Sequence, residues 1–221
     1  MIPILFENDD ILAINKPEGM LCIPGRGDKE PTIVELLSEQ FGSKIFVVHR
    51  LDREVSGVML FAKNAQSHRY LNGLFEKKQI HKTYLLAAHG TFSEQSGTID
   101  APLREFGSGR MGVDDKKGKP SATRYSVILV NTSYSLVKAF PLTGRRHQIR
   151  VHLYSIGHPI VGDKKYGDKT VQEKYPHLML HAYSIAFDLP SQEPLCVTVQ
   201  PPETFMSGLT ALGFDALPAE L

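Results

Sequence analysis

The sequence predicts an α+β protein, strand-rich with a few packed helices, on three observations. Short runs of β-branched and aromatic residues recur between turns bearing Asn, Gly and Ser. Four stretches carry the apolar period of a helix. Apolar residues make up 42% of 221 positions, enough to build a full core.

In chain order, Ile2–Phe6 and Ile11–Asn15 read as strands about the turn Glu7-Asn8-Asp9-Asp10. A breaker-rich loop follows, with Lys16-Pro17-Glu18-Gly19 and Pro24-Gly25-Arg26-Gly27. There Lys16 either turns its ammonium toward an anionic substrate or is a solvated loop lysine. Pro31–Phe41 is helical in period, with Ile33, Leu36 and Leu37 inward, Pro31 in the first turn and Gly42 as cap. Ile45–Val48 and Val58–Phe61 are short apolar strands, and Ser56-Gly57 is the expected turn between them. A second helix, Ala65–Lys78, has Asn64 or Ser67 as its cap and Leu71, Leu74 and Phe75 inward. Arg69, Lys77, Lys78, His81 and Lys82 line its polar face and exit, as a solvated edge or a phosphate contact.

Thr83–Ala88 reads as a strand with Tyr84 near its start. Residues 104–120 are expected to be a mobile, Gly- and Lys-rich loop. Within it Gly107–Gly112 matches G-x-G-x-x-G, but no buried strand precedes it, no helix follows, and no acidic residue lies about 20 positions on. Thr123–Val130 and Ser135–Phe140 alternate as antiparallel strands about Asn131-Thr132-Ser133. Thr143 is the expected cap of a helix over Arg145–Ile156, with Ile149, Leu153 and Ile156 inward and Gly157 and Pro159 stopping it. That period sets Arg146 and Arg150 side by side at the edge of the apolar stripe. A loop to His177, strands Leu178–Phe187 and Pro194–Val199, and a closing helix Pro202–Leu212 complete the chain. With no repeat or convincing linker, a single domain over residues 1–221 is expected.

Charge excludes a global basic field: 25 Lys+Arg against 24 Asp+Glu leave +1. The distribution is uneven, since eight Lys and Arg and no Asp or Glu lie between Lys116 and Gly162, which reads as a solvated face or a phosphate-binding surface. Cys22 and Cys196 lack CxxC spacing, so neither a disulfide framework nor a thiolate metal site is suggested. The N-terminus turns acidic at once, unlike a secretory signal, and no run nears the ~18 apolar residues of a membrane span. A soluble, cytoplasmic protein is the expectation.

The chemistry-bearing stretch is Val47–Lys63, where His49-Arg50-Leu51-Asp52 stands between the two apolar runs. Asp52 has Arg50 and Arg53 as neighbours, which favours its ionised form and suits a nucleophile or a base. The same pattern also fits a structural ion pair at a turn.

H-R-L-D-x-x-x-S-G followed by an apolar strand resembles the catalytic-Asp motif of the RluA-type family of RNA pseudouridine synthases. Five further stretches appear in the family's order: Asn15-Lys16-Pro17-x-Gly19, Lys82-Thr83-Tyr84, Thr143-Gly144-Arg145-x-His147-Gln148-Ile149-Arg150-Val151-His152, Gly157-His158-Pro159-Ile160-x-Gly162-Asp163 and Leu180-His181-Ala182. The resemblance implies a single mixed, mostly antiparallel sheet flanked by helices, with the active site in a cleft across it. It implies Asp52 as the catalytic carboxylate, Tyr84 stacked on the base and Arg150 paired with Asp52. Arg50 would fill the place of a flipped uridine. Lys16, Lys82, Arg145, Arg146 and His147 would bind RNA, with Arg146 standing where the family commonly has a smaller polar residue. No metal or redox cofactor is needed, and the partner is a stem-loop of ribosomal or transfer RNA, met by a monomer without a separate N-terminal RNA-binding domain. Two other classes stay open: a metal hydrolase built on His177-x3-His181, and a non-catalytic RNA-binding module.

Overall fold

The computed structural model describes residues 1–25 and 30–218. Its first elements are β1 (Ile4–Glu7), β2 (Ile11–Lys16), α1 (Ile33–Phe41), β3 (Phe46–Val47), β4 (Ser56–Ala62), α2 (Ala65–Glu76) and β5 (His81–His89). Then come β6 (Ser96–Asp100), β7 (Leu103–Glu105), β8 (Met111–Val113), β9 (Ala122–Val130) and β10 (Tyr134–Pro141). The chain closes with α3 (Gln148–Ser155), α4 (Lys169–Gln172), β11 (Leu180–Asp188), β12 (Pro194–Thr198) and α5 (Glu203–Ala211). Two compact units form, one from Met1–Lys82 and Ala182–Pro201, the other from Thr83–His181 and Pro202 onward. The architecture is the expected α+β, with antiparallel pairing in both units.

In the first unit β2 and β4 pair from Ile11↔Ala62 to Lys16↔Gly57. All seven residues of β4 are buried, which is why Val58–Ala62 is a continuous apolar run instead of an alternation. Ile11, Ala13, Val58 and Leu60 meet Leu71 of α2 and Ile185 and Val197 of the β11–β12 hairpin in one core. α1 starts two residues later than expected, because Glu35 accepts both the N–H and the hydroxyl of Thr32 (2.8 and 2.7 Å) and makes Thr32 the cap. Gly42 ends it in the left-handed region, φ 60°. Asn64 caps α2 by accepting the Ser67 N–H at 2.9 Å, and the helix ends at Glu76 before Lys78, whose φ is 57°.

Ser56 and Gly57 are not a turn but the first residues of β4. Gly57 has φ 116°, and a Cβ there would stand 2.2 Å from the Ala182 carbonyl oxygen, so close backbone approach is what requires glycine. Gly57→Ala is expected to destabilise the protein by at least about 2 kcal/mol, read as the shift of a urea unfolding midpoint. Of the early loop, Arg26 and Gly27 lie outside the described residues.

In the second unit the strand order is β5-β10-β9-β6. Asn131 shapes the β9–β10 turn by accepting the N–H groups of Ser133 and Tyr134. The expected mobile loop at 104–120 is instead the β7–β8 hairpin, closed by mutual backbone bonds between Leu103 and Lys119. Leu103 and Met111 are buried against Val151 and Tyr166, and the Met111 N–H donates to the Tyr166 hydroxyl at 3.1 Å. Three-residue strands holding one buried apolar residue each leave no periodicity to read.

α3 begins at Gln148, not Arg145, since His147 sits at φ 53° and cannot continue a helix backward. Thr143 is not its cap: the Thr143 hydroxyl and the Arg145 N–H both donate to the Gln148 side-chain carbonyl, at 2.6 and 3.0 Å. Arg146 therefore lies before the helix, away from the stripe, and Ile156 points outward at 38% exposure. The expected loop after Tyr166 holds α4, capped by Asp168, which accepts the Val171 N–H.

Candidate active site

Asp52 stands half-buried in the segment linking β3 to β4, and the backbone around it is held from one side of the chain. Lys16, wholly buried at the end of β2, donates to the carbonyls of Pro17, Arg53 and Val55 at 2.9, 3.1 and 2.8 Å. The Cys22 thiol donates to the Leu51 carbonyl at 3.1 Å, and the Gly19 N–H to that of Arg53 at 2.8 Å. Arg53 answers through Nε to the Gly19 carbonyl and through its terminal nitrogen to Glu30, 2.8 and 2.7 Å. Both peptide flanks of Asp52 are thus clasped by residues 16–22.

Two expectations change here. Lys16 is not a loop lysine presented to substrate, because its three ammonium donors each meet a carbonyl; burial pulls it down to about 8 against the raising pull of Cys22, Glu54, Asp52 and Glu18. Arg53 turns to Gly19 and Glu30. Lys16→Met should leave buried carbonyls unpaired, costing about 3 kcal/mol in urea unfolding and lowering product formation through the loosened turn. Rescue by Lys16→Arg is not expected, since a planar fork cannot address three carbonyls around one point.

Arg50, beside Asp52, is exposed. His49 reaches into the unit, where its Nε2 accepts the Leu60 N–H at 2.9 Å and its ring lies 5.0 Å from that of Phe75. Burial, with Lys82 adding to it, pushes His49 down to about 3, so it is a neutral strut between the turn and β4. Lys82, half-buried at the start of β5, has its ammonium 6.0 Å from the Phe75 ring centroid.

In the second unit Arg150 is 3% exposed and held bidentately by Asp163, Nε to Oδ2 at 2.7 Å and a terminal nitrogen to Oδ1 at 2.8 Å. Asp163 Oδ1 also accepts the N–H groups of Lys165 and Tyr166. The guanidinium lies 5.4 Å from the Tyr166 ring centroid, and the Tyr166 hydroxyl bonds His147 Nδ1 at 2.8 Å. The structure so gathers Arg150 and His147 about Tyr166. It sets the neighbouring arginines apart: Arg146 pairs with Glu105 at 2.6 Å, and exposed Arg145 donates to the Pro120 carbonyl. Tyr84 is half-buried on β5 opposite Ala139 of β10.

Residue type alone does not mark Asp163 or Tyr166 in the sequence, although Gly162-Asp163 lies inside one of the motif stretches. His181 is the second residue of β11 and His177 precedes the strand, and among the described residues no three His, Cys, Asp or Glu gather to hold a metal ion. Also among the described residues, no helix is long and apolar enough to cross a membrane.

The first unit thus carries a carboxylate on a clasped turn, and the second an arginine fixed by a buried acid. The family model for RNA pseudouridylate synthase matches residues 10–155. The chain belongs to the RNA pseudouridine synthase family. It is 39% identical to the dual-specificity RNA pseudouridine synthase RluA of Vibrio vulnificus, over 83% of this chain and 76% of that protein. It is 40% identical to ribosomal large subunit pseudouridine synthase C of Pasteurella multocida, over 85% of this chain and only 60% of that protein. It is 37% identical to tRNA pseudouridine synthase C of Haemophilus ducreyi, over 86% of each. The solved structure of human RNA pseudouridylate synthase domain containing 4 is similar with TM-score 0.78 and 27% identity, over 96% of this chain and 93% of that one.

Proposed function

We propose that this chain converts uridines in stem-loops of ribosomal or transfer RNA to pseudouridine, as a cytoplasmic monomer, with Asp52 as its catalytic carboxylate. The reaction breaks the uracil–ribose bond, turns the base over and rejoins the sugar to carbon 5, so atoms and electrons balance without a cofactor. An anionic carboxylate either attacks the anomeric carbon or removes the 2′ proton, and Asp52 has the chemistry for both. Arg150, fixed by Asp163, serves as the counter-ion that keeps the carboxylate ionised. Tyr84 stacks on the base, and Arg50 fills the place that the flipped uridine leaves. Arg145, Arg146 and His147 bind the RNA backbone, Arg146 by exchanging Glu105 for a phosphate.

The single observation that carries this reading is the clasped turn: three Lys16 bonds and one from Cys22 fix the backbone beside Asp52, as a preorganised reacting group requires. Ribosomal and transfer RNA are the substrates in the names of the Pasteurella and Haemophilus relatives. The test is a pseudouridine map of total ribosomal and transfer RNA from cells with and without the protein, by chemical labelling that stops reverse transcription. Loss of one or a few sites names the substrate. If every site persists, and purified protein leaves unmodified transcripts unchanged, the reading fails.

A further inference from the structure

We propose that Tyr166 is a positioning residue for the substrate grip, a role that rests on the function just proposed: its hydroxyl fixes the His147 imidazole as an Nε2–H donor. Tyr166 is buried, and its hydroxyl oxygen meets two groups in the second unit. The Met111 N–H donates to it at 3.1 Å, and His147 Nδ1 lies 2.8 Å away. Met111 brings a proton of its own, so it leaves the hydroxyl proton still to be placed. Among the described residues the acceptor that proton meets is His147 Nδ1, so the O–H donates there. A neutral imidazole whose Nδ1 accepts carries its proton on Nε2. A proton on Nδ1 would strand the buried hydroxyl proton without an acceptor, which costs more than one bond gains.

The backbone points the same way. His147 has φ 53° and ψ 23°, a left-handed conformation that a residue with a Cβ keeps only where its surroundings impose it. On the chain's N-terminal side the Gln148 side-chain carbonyl gathers Thr143 and Arg145. The Tyr166 ring closes on the imidazole itself, edge-on at 5.6 Å and 75°. Tyr166 is in turn flanked by cations, with the Arg110 and Arg150 guanidinium carbons 5.2 and 5.4 Å from its ring centroid. His147 is therefore held at its backbone and at Nδ1, and the far edge of the ring carries the donor. That edge suits an RNA oxygen, whereas the other tautomer would set a lone pair against the same oxygen.

The experiment compares the unaltered protein with Tyr166→Phe, His147→Ala and the double variant. Tyr166→Phe keeps the ring and removes the hydroxyl alone. Two-bond proton–nitrogen NMR correlations of the histidine rings, assigned by the signals lost in His147→Ala, report the tautomer, and KM and kcat are taken on the transcript that the pseudouridine map names. The unaltered protein should show His147 with a bare Nδ1 and a protonated Nε2. In Tyr166→Phe the Nδ1 signal should shift as its hydrogen bond is lost, and the second tautomer should appear. KM should rise about two- to fivefold with kcat kept, the share of one hydrogen bond. The double variant should be no worse than His147→Ala, because Tyr166 acts through that ring. An Nδ1–H ring or an imidazolium in the unaltered protein overturns the proposal, and this reading needs no variant to fold. Identical His147 signals with and without the hydroxyl overturn it too, as does a double variant whose KM multiplies the two single effects, the mark of a merely structural tyrosine. If the unaltered protein forms no pseudouridine, the function proposed above fails on that count alone, while the nitrogen spectra still decide whether Tyr166 sets the His147 tautomer.

Discussion

Asp52→Asn is expected to abolish pseudouridine formation, by about 10^4-fold or more in kcat, while RNA affinity stays within a few-fold of the unaltered protein. The amide has the size and shape of the carboxylate, so the turn should persist: its fixed points are the carbonyls of Leu51, Arg53 and Val55 and the Asp52 carbonyl itself, which accepts the Val55 N–H at 3.1 Å. None of these uses the Asp52 side chain. What disappears is the anion, and with it both the nucleophile toward the anomeric carbon and the base toward the 2′ proton. Single-turnover conversion of a uridine transcript, with filter binding of the same transcript, separates the two quantities. Retained conversion would remove Asp52 from the chemistry. Loss of conversion together with loss of binding would make it a structural residue of the turn, the ion-pair alternative that its arginine neighbours also allow. A non-catalytic RNA-binding module predicts a third pattern, no conversion by either protein and equal binding by both.

How far the sequence reaches follows from which interactions are local. β2 and β4 were legible because each holds a run of four or five consecutive apolar residues, and β9 and β10 because their β-branched and apolar residues flank the Asn131 turn. Asn64 and Gly42 were legible as caps because capping is decided within one turn. The β7–β8 hairpin was not, since its strands are anchored by Val151 and Tyr166, about forty or more positions away. Contacts reaching beyond its ends hid the true state of the basic run from Lys116 to Gly162. Two of its arginines are answered by acids just outside it, Arg146 by Glu105 and Arg150 by Asp163. A run free of acids is therefore not a surface free of acids. Lys16 shows the converse, for the Asn-Lys-Pro stretch marks its importance while its three carbonyl partners come from Pro17 next door and from residues 37 and 39 positions on. Motif spacing located the functional stretches; which atoms they address was set by chain segments that spacing does not see.

Removal of the acid behind Arg150 is the largest stability effect expected. Asp163→Ala takes from the buried Arg150 guanidinium the carboxylate that binds it through two nitrogens, and it also strips an acceptor from the N–H groups of Lys165 and Tyr166. Breaking one side of a buried pair costs about 3 to 5 kcal/mol, because the surviving charge stays desolvated. For a chain of this size that is a fall of about 10 °C or more in Tm. Arg150→Met alone should be comparably damaging, for it leaves the Asp163 carboxylate buried with only two backbone donors. The double variant is the informative one. With both charges gone the desolvation cost goes too, so Asp163→Ala with Arg150→Met should recover about half of the lost stability, leaving the two N–H groups and the vacated volume as the residue of the damage. Activity should not follow. If Arg150 is the counter-ion of Asp52, the double variant folds and binds RNA yet forms little product. Recovery of stability and of product together would leave the pair a purely structural one. Additive losses, with no recovery in the double variant, would mean that the ion pair is worth less than the turn bonds Asp163 makes.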